Sequence, residues 1–558
     1  MLRRISHFAV FASVIFSSLQ AGAEQHPLPG EIFHGARLFQ ETRFAQYFHD
    51  FVARGGGINE TLTQGDPRLE KTFRFFGLPP YQIPFATSPF KGTSYSCRTC
   101  HMVDEHADQK ELGMRAFADF ASRSPLAERD DGQLVTVRNS PVLVGSLSKR
   151  DNLVLHHDGE FSSARDLIVS TLTGRNLGWL PDEQEVAIRH VCNVIRQDDG
   201  TGDLAKKFGG WSYPEVFSGL SESGQLPEKY MIDAGHRIKV SERTCNDILE
   251  SVAYLLERYM DSLKFAENRH SYSPYDLFLT TNSLPAHPNE DESDEDYGNR
   301  LLALIESLDE SGNLKFVKSN PNTENGQFRF HDQSYAFGEM ELQGLRVFFN
   351  RKPVPGRGAG NCAICHPAPH FTDFSLHNIG VTQVEYEAIH GQGSFLSLQI
   401  PDLKQRNERA RLYLPATPAH PDRQGIFRKA ASESNTLATD LGAWNIFLNA
   451  DYPNVQGRLR SLFCGDESTC MTDDMALQKT IAAFKTPTLR NLGHSAPYMH
   501  NGQISDLHAT VGFYIASSNS SRNGLIRNAD SELRSVRITS RDVQPLVSFL
   551  ISLYEDFY

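Results

Sequence analysis

Two short segments place a pair of cysteines three positions apart, with a histidine directly after the second cysteine. Residues 97–101 read CRTCH and residues 362–366 read CAICH. This spacing is typical of c-type haem attachment, in which two thiols bind one porphyrin and the imidazole ligates its iron. A redox-active thiol pair would not need the histidine twice, and a four-thiol zinc site would have to join two distant halves. We therefore expect two covalent haem c groups, held by Cys97, Cys100 and His101 and by Cys362, Cys365 and His366.

The other four cysteines form an even set at positions 192, 245, 464 and 470. Cys464 and Cys470 flank a short polar stretch and can close a small surface loop. Cys192 and Cys245 would then pair by elimination. Such disulfides persist in oxidising compartments, so we expect two of them.

The N-terminus indicates export. A basic MLRR is followed by the apolar FAVFASVIF and by the small residues AGA, which end at Ala23. This order is typical of a cleavable signal peptide over residues 1–23, and it predicts a periplasmic protein. The alternative is an uncleaved anchor, but the apolar stretch is too short to cross a bilayer, and no later segment has about 20 apolar residues. We expect no integral membrane span.

The charge balance limits the class of partner. The formal net charge is −13, and it becomes −15 when Arg3 and Arg4 leave with the signal peptide. Nucleic-acid binding requires a basic face, so we expect no nucleic-acid partner.

Apolar residues recur at intervals of three and four in segments 162–172, 246–265 and 335–349, as they do in amphipathic helices. Runs with a period of two are scarce. We predict a mostly α protein with two c-type cytochrome-like haem domains and few short strands.

The expected order is a signal peptide (1–23), an N-terminal cytochrome c domain (24–279), an acidic linker or insertion (280–335) and a C-terminal cytochrome c domain (336–558). The acidic run within 283–300 fits a solvated loop or a docking site for a basic electron donor.

A second constellation lies late in the chain, where residues 484–514 read FKTPTLRNLGHSAPYMHNGQISDLHATVGFY. With FTDFSLHNIGV at 371–381, VRNSPVLVGS at 137–146 and the two haem motifs, this string resembles the bacterial di-haem cytochrome c peroxidase family and its relative MauG. The resemblance covers most of 90–190 and 336–550.

The resemblance implies a peroxidase that reduces hydrogen peroxide or a related oxidant. Electrons from a small cytochrome or copper protein would pass from the C-terminal electron-transfer haem to the N-terminal peroxidatic haem. The family register places Tyr514 as second axial ligand of the C-terminal haem, as in MauG, and Met499 is the rival. The same register implies a calcium ion held by Asn139, Ser495 and Pro497. A homodimer is compatible with the resemblance.

The N-terminal pocket departs from the family pattern. Nothing near the first haem motif is a compelling sixth ligand, since His106 is too close to it and Met114 is expected in the core. His157 stands where the peroxidases keep a tryptophan, before Asp158 and Gly159. The family's glutamine and catalytic glutamate positions fall on Leu167 and Leu177, which cannot exchange protons.

Local substitutes for the missing acid–base groups are Glu160, His156 and His157. We expect His157 and Glu160 to serve as catalytic residues, because a displaced carboxylate need only lie within hydrogen-bond reach of the proton. Three alternatives stay open: a MauG-like oxidase of an organic or protein substrate, a di-haem electron-transfer protein without a substrate, and a rubber-oxygenase-like enzyme.

Overall fold

The computed structural model describes residues 29–60, 72–73, 86–87, 96–101, 126–148, 153–264, 272–328, 334–350, 352–465, 470–490, 492 and 496–555. The expected signal peptide, His106, Met114 and Ser495 lie outside these ranges. In the described residues, no helix is long and apolar enough to cross a membrane.

Helices dominate the described chain. The first half contains the α-helices Gly30–Phe39, Gln46–Ala53, Cys97–Cys100, Ala164–Leu172, Gln184–Gln197, Asp203–Lys207, Tyr213–Ser218 and Cys245–Ser262. The second half contains Pro274–Thr281, Asp294–Glu310, Glu339–Phe349, Val381–His390, Ser394–Ser397, Leu403–Glu408, Ala410–Tyr413, Gln456–Cys464, Asp473–Lys479, Leu507–Arg522 and Val543–Ile551. Short 3-10 turns lie at Arg175–Leu177, Pro181–Glu183, Glu228–Tyr230, Ala234–His236, Val240–Glu242, Cys362–Ile364, Ala443–Asn445, Pro453–Val455 and Glu532–Ser535.

The described strands are two residues long and form antiparallel pairs. The pairs are Thr72–Phe73 with Ala86–Thr87, Leu220–Ser221 with Gly224–Gln225, and Leu376–His377 with Phe484–Lys485. The predicted fold class, mostly α with few short strands, is confirmed.

Helix Cys245–Ser262 illustrates why these segments are helical. The Thr244 hydroxyl accepts from the Asp247 backbone N–H, and the Asp247 carboxylate accepts from the Thr244 backbone N–H. This reciprocal cap satisfies donors that a helix start leaves without partners. The apolar residues of the helix then recur on one face and are buried, so the face packs into the first core.

Each half of the molecule contains a close helix crossing at a glycine. Helix Gly30–Phe39 packs on Cys245–Ser262, and helix Glu339–Phe349 packs on Val543–Ile551. A Cβ at Gly35 would lie 2.2 Å from the Leu255 carbonyl oxygen, and one at Gly344 would lie 2.0 Å from that of Pro545. Only glycine permits these backbones to approach so closely.

The buried apolar residues form three clusters. The first cluster spans residues 38–263 and includes Cys97 at its margin. The second cluster joins residues 275–371 to residues 492–554, and Cys362 and Tyr514 pack against it. The third cluster is formed by residues 376–484 together with Val154. This third core lies in the chain between the second haem motif and the late constellation.

The acidic segment 280–335 contains more ordered structure than a linker requires. It contains helix Asp294–Glu310, whose Tyr297, Leu301 and Ile305 are buried in the second core. Its acidic residues lie on the opposite face, where Glu306 and Asp309 pair with Arg346 at 2.8 and 2.7 Å. In the sequence, the acidic residues of one helix face are more conspicuous than the apolar residues that are spaced along the other face.

Both expected disulfides are present. Cys192 on helix Gln184–Gln197 bonds Cys245 at the start of helix Cys245–Ser262, and Cys464 bonds Cys470. Cys97, Cys100, Cys362 and Cys365 form no disulfide, as haem attachment requires.

Candidate haem sites and the connecting loop

The second haem motif forms a tight 3-10 turn at Cys362–Ile364 after helix Glu339–Phe349. The backbone N–H of His366 donates to the Cys362 carbonyl at 2.8 Å. The ring Nδ1 of His366 donates to the Phe371 carbonyl at 2.9 Å. This bond fixes the tautomer and leaves Nε2 as the ligand atom. Burial lowers the pKa of His366, which favours the neutral imidazole that a metal requires.

Tyr514 lies on helix Leu507–Arg522 and lines the same cavity as Cys362, Cys365 and His366. Burial, followed by the charges of Cys365 and Cys362, raises the pKa of its phenol. A ferric ion would oppose this effect, because a cation stabilises the phenolate. Met499, in a left-handed backbone conformation with φ 71°, lines the cavity as well. The structure therefore brings both candidate sixth ligands to this cavity.

The walls of this cavity suit a porphyrin. They are mostly apolar, and they include Phe348, Leu489, Leu492, Val536, Leu546 and Leu550. Two thiols, one imidazole with an oriented Nε2 and apolar walls are what covalent haem needs, and Tyr514 or Met499 can supply the second axial ligand. The described residues around the second motif fit the group.

The first haem motif forms the short helix Cys97–Cys100, and the His101 backbone N–H donates to the Cys97 carbonyl at 2.9 Å. The side chain of His101 hydrogen-bonds the Pro141 backbone, and burial lowers its pKa to about 4. Burial raises the pKa of Cys97 to about 12. The neutral imidazole and the buried thiol again fit a haem. Residues 102–125 lie outside the described part of this pocket.

The loop 155–161 connects the two haem regions. It is a tight turn closed by a bridge between Leu155 and Phe161, with His156 at φ 63° and Gly159 at φ 75°. A left-handed conformation is unusual for histidine and often marks a functional position. His156, His157 and Leu167 line the cavity, and Leu177 is buried in the first core.

His157 forms hydrogen bonds with residues from both halves of the chain. Its Nε2 donates to the Asn139 carbonyl at 2.9 Å, and its own carbonyl accepts from the Lys485 backbone N–H at 2.7 Å. Burial and then the Arg138 charge lower its pKa to about 4. His157 is therefore a neutral, fixed group between the two halves.

Glu160 is bound by Arg428 and His156, and the Tyr452 side chain hydrogen-bonds it as well. An Arg428 nitrogen donates to it at 2.6 Å, and Nδ1 of His156 lies 2.9 Å from the same oxygen. Burial opposes ionisation of Glu160, but the Arg428 charge and these hydrogen bonds outweigh it and hold its pKa well below the usual range. Since Glu160 is ionised, His156 donates from Nδ1.

Two arginines extend this cluster, and sequence reasoning missed both. Arg138 bonds Asp158 and Asp440, each at 2.6 Å, and Arg428 reaches Asp158 at 3.4 Å. Arg428 is 268 positions from Glu160, so no local spacing could have indicated the contact.

A second charged cluster lies beside Cys365. His377 donates to Asp373 at 2.7 Å and to Asp530 at 2.5 Å. Burial opposes protonation of His377, but the two carboxylates outweigh it and raise its pKa. The spacing of four between Asp373 and His377 was a signal that the sequence offered for this pair.

The expected calcium ligands are partly brought together. The Asn139 side-chain amide lies 2.5 Å from the Pro497 carbonyl oxygen, and the Asn139 backbone N–H donates to the His500 carbonyl at 2.7 Å. Ser495 lies outside the described residues. Calcium takes six to eight oxygen ligands, and Asn139 and Pro497 can supply two of them.

Comparisons with known proteins match short segments of the chain. The chain is 33% identical over 75 residues to the cytochrome-c peroxidase IdrP1 of Denitromonas iodatirespirans, which is 13% of this chain and 19% of that protein. It is 39% identical over 72 residues to the methylamine utilization protein MauG of Methylorubrum extorquens, again 13% of this chain and 19% of the relative. The matches thus span about a fifth of each relative's length. No family model matches the chain.

Among solved structures, the diheme peroxidase BthA from Burkholderia thailandensis aligns with a TM-score of 0.44 at 15% identity, over 95% of this chain and 87% of the other. A MauG-like protein associated with microbial copper homeostasis aligns with a TM-score of 0.39 at 14% identity, over 94% and 89%. The segments shared with IdrP1 and MauG confirm the resemblance of this chain to the di-haem cytochrome c peroxidase and MauG family.

Proposed function

We propose that this protein is an exported, periplasmic di-haem c-type peroxidase. It reduces hydrogen peroxide with electrons that a small cytochrome or copper protein supplies, and these electrons pass from the C-terminal to the N-terminal haem. The observation that carries the proposal is that one cavity is lined both by Cys362, Cys365 and His366 of the second haem motif and by Leu155, His156 and His157 of the loop 155–161. The similarity of short segments to a cytochrome-c peroxidase and to MauG supports it.

The residues of the chain have separate tasks in this scheme. Cys97 and Cys100 hold one haem and Cys362 and Cys365 the other, and such haem supplies the iron that exchanges electrons with peroxide. The Phe371 carbonyl orients His366 through Nδ1. Tyr514 supplies a hard anionic donor, which favours ferric iron over ferrous.

The loop residues have the tasks of holding charge and moving protons. Glu160 stays ionised between Arg428 and His156. His157 links the two halves through hydrogen bonds to Asn139 and Lys485, so it serves to fix the loop. Asn139 and Pro497, with Ser495, are the proposed ligands of a calcium ion that would hold the same interface.

A second candidate is a MauG-like oxidase of an organic or protein substrate. Tyr514 in the cavity favours it, because a phenolate stabilises oxidation states above ferrous. The two functions differ in their reductant. The peroxidase consumes electrons from a donor protein, whereas the oxidase takes them from the substrate that it modifies.

The test uses the holoprotein, purified from a host with working cytochrome maturation. Denatured protein should retain two haems per chain, and the ferric EPR spectrum should contain one high-spin and one low-spin species. Peroxide should then oxidise a reduced small cytochrome with a stoichiometry of two electrons per peroxide. Two low-spin irons and no reaction with peroxide would reject the enzyme and favour an electron relay.

A further inference from the structure

His156 combines three properties that the other residues of the loop do not share. Its ring lines the cavity, its side chain is 27% exposed, and its Nδ1 is bonded to Glu160 at 2.9 Å. Because Nδ1 is engaged, Nε2 is the nitrogen that can exchange a proton with a ligand, and His156 lies close enough to His101 of the first haem motif to affect the pKa of that residue. The backbone of His156 is in the left-handed region, with φ 63°, a conformation that costs free energy for a residue other than glycine.

Charged side chains surround the loop that carries His156. Glu160 and Asp158 lie on the same loop, and Arg428, Arg138 and Asp440 come from other segments. The three carboxylates and two guanidiniums nearly balance, so the cluster is close to neutral. A buried cluster near neutrality avoids a large desolvation cost. His101 of the first haem motif is the neighbour on the other side, close enough for His156 to contribute to lowering the pKa of His101.

The other two candidates on the loop are less suited to this task. Glu160 has both carboxylate oxygens bound by Arg428, and one of them also by His156. His157 already donates from Nε2 to the Asn139 carbonyl. A proton transfer by either residue would first have to break one of these bonds.

We propose that His156 is the catalytic residue that exchanges the proton of the peroxide, and that Glu160 and Arg428 are positioning residues acting through it. This inference rests on the proposed peroxidase function. Nε2 accepts the proton from one peroxide oxygen and returns it to the other oxygen as the O–O bond breaks, so that this oxygen leaves as water. The remaining oxygen becomes a second water with two electrons from the donor protein and two protons from solvent.

The pairing gives Arg428 a role at a loop that lies far from it in the sequence. Arg428 belongs to the segment that carries the third core, and its guanidinium contacts both Glu160 and Asp158. It neutralises the carboxylate that orients His156, and a nearby cation also stabilises charge that develops on a departing oxygen.

The first test compares His156→Gln with the wild-type holoprotein. The second-order rate with hydrogen peroxide, from stopped-flow absorbance, should fall by about 10²- to 10⁴-fold, the range for general acid–base catalysis. Haem content and the ferric EPR spectrum should stay unchanged. Cyanide gives a second readout, since HCN must also lose a proton on binding, and its affinity should fall in the variant.

The matched control is His420→Gln. His420 also bonds a carboxylate, Asp451, at 2.9 Å, but its side chain is 48% exposed and lies outside the cavity lining. The rate of the His420→Gln protein with hydrogen peroxide and its affinity for cyanide should match those of the wild-type protein. In His156→Gly, added imidazole should restore part of the rate, which a purely structural role would not permit.

Glu160→Gln tests the positioning role. Without the carboxylate that accepts from Nδ1, the His156 ring loses its orientation, so the rate with peroxide should fall while haem content is retained, and Glu160→Asp should restore part of the rate. A His156→Gln protein that reacts with peroxide and binds cyanide as the wild type does would overturn the inference. So would His156→Gly protein with both haems that imidazole does not rescue. A wild-type protein inert to peroxide would instead overturn the proposed function, and the cyanide comparison would still report on His156.

Discussion

At the residue scale, Tyr514 and Met499 offer different donor atoms to the cavity beside His366. Phenolate oxygen is hard and anionic, whereas thioether sulfur is soft and neutral. Tyr514 reaches the cavity from a regular helix, and Met499 from a left-handed turn. The helix provides the more rigid support, which favours Tyr514 as the ligand.

Replacement of Tyr514 should therefore change one haem and leave the other unaltered. Tyr514→Phe should remove the six-coordinate signal of the C-terminal haem, seen by EPR and absorbance. Tyr514→Met should raise its midpoint potential by a sizeable part of the about 0.8 V range that axial ligands span. Met499→Leu is the control, and its spectrum should not change. If Met499→Leu removes the signal and Tyr514→Phe does not, the ligand assignment is reversed.

At the element scale, the glycine crossings fix how the helices of each half pack. Gly344→Ala should lower the free energy of unfolding by about 1–3 kcal/mol, because the new methyl group would overlap the Pro545 carbonyl oxygen. Gly512→Ala, in helix Leu507–Arg522 with open space at its Cβ, should be neutral or stabilising by up to about 1 kcal/mol. Urea unfolding followed by far-UV circular dichroism measures both. Equal effects of the two substitutions would contradict the packing argument.

The helices could be predicted from sequence because their signals are local. The apolar spacing of three and four within 162–172, 246–265 and 335–349 indicated the helices Ala164–Leu172, Cys245–Ser262 and Glu339–Phe349. The segment 280–335 was harder, since its acidic residues hide the buried positions Tyr297, Leu301 and Ile305. The amino-acid composition of a segment averages over both faces of a helix. Packing into a core depends on the apolar face alone.

The candidate site could be predicted only in part for a similar reason. The haem motifs, Tyr514 and the loop at His157 lie within short patterns, so their chemistry can be inferred without a structure. Arg138 and Arg428 act through contacts with Asp440 and Glu160, across 302 and 268 positions. No single sequence shows which of its arginines become buried partners of distant carboxylates.

At the scale of the whole molecule, Arg138 and Asp440 join the first half to the segment with the third core. Burial opposes ionisation of Asp440, but the Arg138 charge and hydrogen bond outweigh it and lower its pKa from 3.8 to about 2. A carboxyl group with a lowered pKa stabilises the folded state above its unfolded pKa and loses that contribution as the pH falls. The shift corresponds to about 2 kcal/mol, present above pH 3.8 and lost towards pH 2.

Asp440→Asn should therefore lower the free energy of unfolding by at least about 2 kcal/mol at pH 7 and should flatten its dependence on pH between 3.8 and 2. Urea unfolding at a series of pH values measures both effects. Asp422→Asn is the matched control, because Asp422 pairs with Arg411 at the surface and such pairs contribute about 1 kcal/mol or less. A pH profile of Asp440→Asn identical to that of the wild type would show that the pair does not link the halves.

The contact between Arg428 and Glu160 joins segments that are synthesised at different times. The first haem motif leaves the ribosome long before residue 428 does. The first haem can therefore be attached while the loop at residues 155–161 still lacks its distant arginine. Nascent chains and fragments ending before that arginine should carry haem yet react slowly with oxidants, so the completed polypeptide gains its reactivity only at the last stage of folding.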